Sequence, residues 1–167
     1  TKVSDVLIMA HDAMMAKLNT AWQQKSALVQ LATPAELLIL ASIIEKESGR
    51  GSDRRTISQV FHNRLQRNMR LQTDPTVIYA IGDGFDGDIR SRDLRMDSPF
   101  NTYKVKGLPP TAIALPSFDS LLAAAQPSSG DYLYFVARGD GTSQFSRTLG
   151  EHNAAVRKFL LQGTKLN

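Results

Sequence analysis

A chain of 167 residues with 42% apolar and 22% charged side chains has the composition of one globular domain, not of a disordered segment. Lysines and arginines number 20 against 16 acidic residues; the net charge of +4 mildly favours an anionic partner, a bias that nucleic acid, an anionic polymer and a membrane surface all satisfy. The absence of cysteine excludes a disulfide scaffold, a thiolate metal site and a thiol nucleophile, and no apolar run approaches the ~20 residues that span a bilayer.

Residues 4–31 carry Val6, Leu7, Met14, Leu18, Ala21, Leu28 and Leu31 at three- and four-residue spacings, which predicts a long packing helix with Lys17, Gln23, Gln24 and Lys25 on its polar face. Thr1-Lys2-Val3-Ser4 opens into that pattern without a signal peptide and without an initial Met, so a fragment is expected. Thr33-Pro34-Ala35-Glu36 reads as a capping box that starts a second helix, with Gly49 as its terminator. A third helix is predicted from about Arg54 to Met69 on the Ile57, Val60, Phe61, Leu65 face, and a short fourth from Asp74-Pro75 to Gly82. Residues 82–116, rich in Gly and Pro, read as a long loop of a length that is unusual in a compact domain and often functional. Ser117 caps a small helix through Ala125; residues 132–136 and 143–147 form a hairpin about the Gly139-Asp140-Gly141 turn. Thr148-x-x-Glu151 is a second capping box, opening a terminal helix with Val156, Phe159 and Leu160. The expected architecture is a single α+β domain over 1–167, with a leading helix (1–32), a helical part (33–81), a loop-rich cleft segment (82–116) and a helix, hairpin and terminal helix (117–167), its small antiparallel sheet including the C-terminal hairpin.

The stretch Ala41-Ser42-Ile43-Ile44-Glu45-Lys46-Glu47-Ser48 puts two carboxylates at the end of an apolar helix. At 100° per residue, Glu47 follows Ile44 by three, Ile43 by four and Leu40 by seven, so it lies on the inward face. Glu45, roughly 160° away, and Lys46 are expected to be solvated. A carboxyl among leucine and isoleucine is harder to ionise, and the negative end of the helix acts in the same direction. Such a group stays partly protonated near neutrality, as a general acid requires. The plainer alternative is a structural ion pair with Arg50, Arg54 or Arg55.

"ASIIEKES", "NRL" at 63–65, "MRLQTDPTVIYAIG" from 69, "NTY" at 101, "GLPP" at 107, "YLYFVA" at 132 and "EHN" at 151 occur in this order. Together they resemble the MltG (YceG-like) family of endolytic murein transglycosylases over residues 36–160. The resemblance implies a lyase that cuts the β-1,4 bond between N-acetylmuramic acid and N-acetylglucosamine within glycan strands, leaving 1,6-anhydro ends. It implies no metal or cofactor, peptidoglycan strands as partner and possible peptidoglycan synthase partners. It also implies a location on the outer face of the bacterial inner membrane, reached through an anchor that, like a LysM-like module, is outside this fragment. The family's catalytic Glu, the second of E-K-E-[TS], falls on Glu47.

Gln72, Thr73 and Asp74 stand at a loop-to-helix junction and are expected to contact sugar, although Thr73 or Asp74 could equally cap the helix begun by Pro75. Asn63, Asn101 and Tyr103 complete the expected substrate contacts; Tyr103 could stack on a sugar or pin its loop. Arg64, Arg67 and Arg70 read either as contacts for substrate carboxylates or as a solvated charged face. His62 and His152 lack metal-ligand spacing and are expected to be structural. Relatives often carry a His two residues before the hairpin Phe; here Ser143 precedes Phe145, so no role passes to it. Three alternatives stand beside the lyase: a lysozyme-type hydrolase pairing Glu47 with Asp74, a non-catalytic glycan-binding module, and nucleic-acid binding through "NRLQRNMR". The last is disfavoured because no aromatic residues interleave the arginines.

Overall fold

The computed structural model describes residues 2–161. Six helices and one two-stranded antiparallel sheet make an α+β domain: α1 Val3–Gln23, α2 Pro34–Glu47, α3 Arg54–Gln66, α4 Asp74–Ile81, α5 Phe118–Ala125, β1 Tyr134–Ala137, β2 Ser143–Ser146 and α6 Leu149–Val156. Among the described residues no helix is long and apolar enough to cross a membrane.

The first helix is shorter than its periodicity suggests. The chain leaves the helix after Gln23, and the Ser26 N–H donates to the Ala125 carbonyl at 2.9 Å while its hydroxyl accepts from the Leu28 N–H. That turn sends Leu31 into the core beside Leu18 and Ala21 and leaves Leu28 exposed; Val6 and Leu7, near the start of α1, are exposed as well, contrary to the single 4–31 packing face. The third helix likewise stops at Gln66, because Asn68 adopts a left-handed φ of 53°.

Helix α2 is the centre of the domain. Thr33 accepts from the Glu36 N–H at 3.2 Å and Pro34 occupies the first turn, as predicted, but the box is not closed: the Glu36 carboxylate accepts from the Ala32 N–H, not from Thr33. Leu37, Leu40, Ala41, Ser42, Ile43 and Ile44 are all buried, since α1, α3, α4 and α5 surround the helix. Gly49 does not terminate it in a left-handed conformation: Ser48, with φ −82° and ψ 110°, is the C-cap. The approach at 49 is close: a Cβ there would stand 3.0 Å from the Gly141 carbonyl oxygen in the hairpin turn, so any side chain would press that turn back. The end of α2 thereby meets the hairpin, whose register pairs Tyr134 with Ser146 and Phe135 with Phe145. Phe135 reaches back edge-on to the buried Phe61 of α3, with ring centroids 5.9 Å apart.

Of the pair expected to be solvated, Lys46 is exposed as read, whereas Glu45 is not left to water. A helical wheel describes only its own helix, and α5 packs over the side that the wheel leaves to water. Glu45 Oε2 accepts from the Ser117 N–H (2.9 Å), the Ser117 hydroxyl (2.7 Å) and the Ser120 hydroxyl (2.5 Å) at the start of α5. Partial burial pushes its pKa up, but these bonds and the Arg54 charge outweigh that and hold it at about 2. Glu45→Ala is expected to destabilise the fold by about 1–2 kcal/mol at pH 7, at the low end because water screens the site. The folded pKa lies below the unfolded 4.5, so this stability is present above pH 4.5 and disappears as pH falls through 2. Urea unfolding at pH 7 and pH 2 measures both values.

Candidate active site

Glu47 is the last residue of α2, half-buried, with its carboxyl in a cleft of about 570 Å3. The segment Leu71-Gln72-Thr73 forms the adjoining wall. Leu71 and Thr73 are buried and Gln72 is exposed between them, with φ 52°, a left-handed conformation uncommon for a residue with a Cβ. The Gln72 N–H donates to the Thr102 carbonyl and the Thr73 N–H to the Thr102 hydroxyl at 3.0 Å. This leaves the Thr73 hydroxyl pointing at Glu47, and it donates to Oε1 at 2.5 Å. Thr73 makes no side-chain cap for α4, so the capping alternative is set aside for it.

No arginine meets Glu47 among the described residues. Arg55 donates to the Gln126 carbonyl, Arg54 pairs with Asp119 at 3.8 Å, and Arg50 packs against Gly141. Desolvation therefore dominates: burial raises the Glu47 pKa, the Thr73 bond opposes it, and the nearby Asp74 charge raises it again, to about 7. Asp74 opens α4, exposed at the cleft edge, and accepts from the Tyr103 hydroxyl at 2.5 Å. Burial, the bond to Asp74 and the Asp74 and Glu47 charges push the Tyr103 pKa up, so it serves as a neutral donor.

Glu47, Gln72, Asp74 and Tyr103 all line the cleft, with Thr73 behind Glu47. Two expected contacts do not. Asn101 is fully buried; its amide donates to the Leu94 and Met96 carbonyls and its oxygen accepts from the Tyr103 N–H, so it pins the loop that carries Tyr103. Asn63 donates to the Gly130 and Tyr132 carbonyls and ties α3 to the start of the hairpin. Both are corrected from substrate contacts to scaffold residues. His62 is structural as expected: Nδ1 accepts from the Gln30 N–H at 3.1 Å, which places the ring proton on Nε2, bonded to the Ala124 carbonyl.

Arg64 and His152 line the same cleft. Arg64 is 6% exposed and donates to the carbonyls of Leu133, Arg70 and Leu71 and to Gln72 Oε1. Its position was visible in the spacing, since 57, 60, 61 and 64 share one helical face. His152 stacks on Tyr134, with centroids 5.2 Å apart and planes at 24°. It combines the expected packing role with a place in the cleft wall.

The YceG-like family model matches residues 1–158. An endolytic murein transglycosylase of Bacillus subtilis (strain 168) is 48% identical over 125 residues, covering 75% of this chain and 34% of its own length. One from Streptococcus pneumoniae (strain D39) is 36% identical over 141 residues, covering 81% of this chain and 25% of its own. The chain thus spans about a third and about a quarter of these relatives. The crystal structure of a yceG-like protein from Listeria monocytogenes matches with a TM-score of 0.75 at 43% identity, over 88% of this chain and 45% of that one.

Proposed function

The chain belongs to the YceG-like family, and on that premise we propose that it is the catalytic domain of an endolytic lytic transglycosylase acting on peptidoglycan. The observation that carries the reading is Glu47: a carboxyl poised to hold its proton near pH 7, free of any basic partner among the described residues, at the wall of an open cleft. A glycosidase of the usual kind needs two carboxyl groups, one as acid and one as base or nucleophile. In a transglycosylase the attacking oxygen is the C6 hydroxyl of the muramic acid itself, and its tethering removes the entropy of recruiting water. Protonated Glu47 donates its proton to the leaving glycosidic oxygen as the C1–O bond breaks. The resulting carboxylate, held by Thr73, then accepts the C6 hydroxyl proton as that oxygen closes on C1, which restores the acid and leaves an anhydro end. Asp74, fixed by Tyr103, places negative charge near the cationic sugar that forms between the two steps.

Murein lies outside the cytoplasm, so the same reading puts the domain on the outer face of the membrane, where association with peptidoglycan synthases is part of the proposal. Asp74 is also the specific residue that favours a second reading, a hydrolase in which it activates water. Mass spectrometry of muropeptides released from purified sacculi separates the two. Anhydromuramic ends are expected; reducing ends mean hydrolysis, and no release from sacculi removes the enzymatic reading.

A further inference from the structure

Arg64 is a buried cation without an anion. Four neutral oxygens accept from its Nε and Nη1, no carboxylate pairs with it among the described residues, and Nη2 has no hydrogen-bond partner there. Its guanidinium lies 5.0 Å from the Tyr134 ring centroid, on the side of the cleft built by the hairpin and α6. A guanidinium with so little water around it retains most of its field, because neutral carbonyls orient it without cancelling its charge.

His152 supplies a second donor at the same wall. Its Nδ1 is buried and makes no hydrogen bond. A buried N–H left unpaired is rarer than an unpaired acceptor, so the proton belongs on Nε2. Burial and the Arg64 charge both lower the His152 pKa, which keeps the ring neutral. Stacking on Tyr134 fixes its plane. Nε2 is bonded to none of the described residues, which leaves its N–H for a ligand.

We propose that Arg64 and His152 form a carboxylate-recognition subsite in the cleft that holds Glu47, resting on the reading of that cleft as a peptidoglycan site. The chemistry recognised is a carboxylate carried by the glycan: the lactyl carboxylate of peptide-free muramic acid, or a carboxylate of an attached stem peptide. Arg64 supplies charge through Nη2 and His152 a directed neutral donor, both beside Tyr134 in the cleft wall.

The test measures affinity by calorimetry on the Glu47→Gln protein, which holds strands without cutting them. Three probes are compared: chitotetraose, which has the β-1,4 N-acetylhexosamine backbone and no carboxylate; peptide-free tetrasaccharide of alternating N-acetylglucosamine and N-acetylmuramic acid; and the same tetrasaccharide bearing stem peptides. At least one muramyl probe is expected to bind about tenfold or more tighter than chitotetraose, with the advantage shrinking as salt rises. The peptide-free probe leading identifies the lactyl group, and the peptide-bearing probe leading identifies the stem. His152→Phe preserves the stack and removes the donor, and Arg64→Lys preserves charge without the fork; each is expected to erase most of the preference while chitotetraose affinity holds. Equal affinity for all three probes overturns the subsite and leaves the glycan reading standing. Binding to none of them overturns both. Should Arg64→Lys fail to fold, His152→Phe decides: an undiminished preference in that variant overturns the subsite.

Discussion

Glu47→Gln is expected to abolish strand cleavage, by about 10^2–10^4-fold or more, while leaving the protein folded and, in mild base, more stable than the parent. Glutamine keeps the shape and an oxygen that can accept from the Thr73 hydroxyl, but it has no proton to give to a leaving oxygen and no carboxylate to recover one. The stability gain follows from linkage. Glu47 carries a folded pKa of about 7 against 4.5 in the unfolded chain. Its neutral form therefore fits the fold best: below pH 4.5 it brings no penalty, and as pH rises toward 7 the ionised carboxylate increasingly favours unfolding. Above pH 7 the full penalty is about 3 kcal/mol, and a residue that never ionises escapes it. Urea unfolding of parent and variant should coincide near pH 4 and diverge near pH 8, the variant being the more stable. A pH-independent difference would mean that Glu47 is well solvated, and its use as an acid near neutrality would then lose its physical basis. The same pKa requires the parent's cleavage rate to fall as pH rises past 7.

Much of this site was legible because it obeys helical phase. Thr33, Pro34 and Glu36 set where α2 begins, and counting from Leu40 places Glu47 on the inward face, as found. The family resemblance reached the same residue by an independent route. Thr148 and Glu151 opened α6 as read, and the hairpin followed from its aromatic run and glycine turn. Two of the misreadings, Asn63 and Glu45, share a cause: partners distant in the chain. Asn63 looked like part of a site motif, yet its amide is consumed by Gly130 and Tyr132. Asn101 is spent on its own loop, whose path no periodicity encodes. Glu45 faces α5, and a wheel cannot show what packs against its outer side. Arg64 is the opposite case, on the apolar phase of α3 but grouped with its neighbours Arg67 and Arg70, as contacts for substrate carboxylates or as a solvated charged face. Those two are not buried, and only Arg64 runs beneath the hairpin.

Thr73→Val should move the pH dependence of cleavage rather than simply reduce its rate. Valine fills the same volume, and the Thr73 backbone keeps its bonds: the N–H donates to the Thr102 hydroxyl and the carbonyl accepts from the Thr76 hydroxyl at 2.8 Å. What is lost is the donor to Glu47 Oε1. A hydrogen bond to a charged group contributes about 1.5–3 kcal/mol, so losing it makes the carboxylate harder to form by about one to two pKa units. The alkaline limb of the rate profile is expected to shift upward by that amount. The rate on its plateau should fall about tenfold or more, since the carboxylate that must accept the C6 hydroxyl proton is neither stabilised nor aimed. Asp74→Asn supplies the control of opposite sign: removing a negative charge that raises the Glu47 pKa should move the limb downward. Limbs that shift in opposite directions tie both residues to one titrating group at position 47. Parallel shifts, or none, would place the rate-controlling ionisation elsewhere, on the substrate or on another side chain of the cleft.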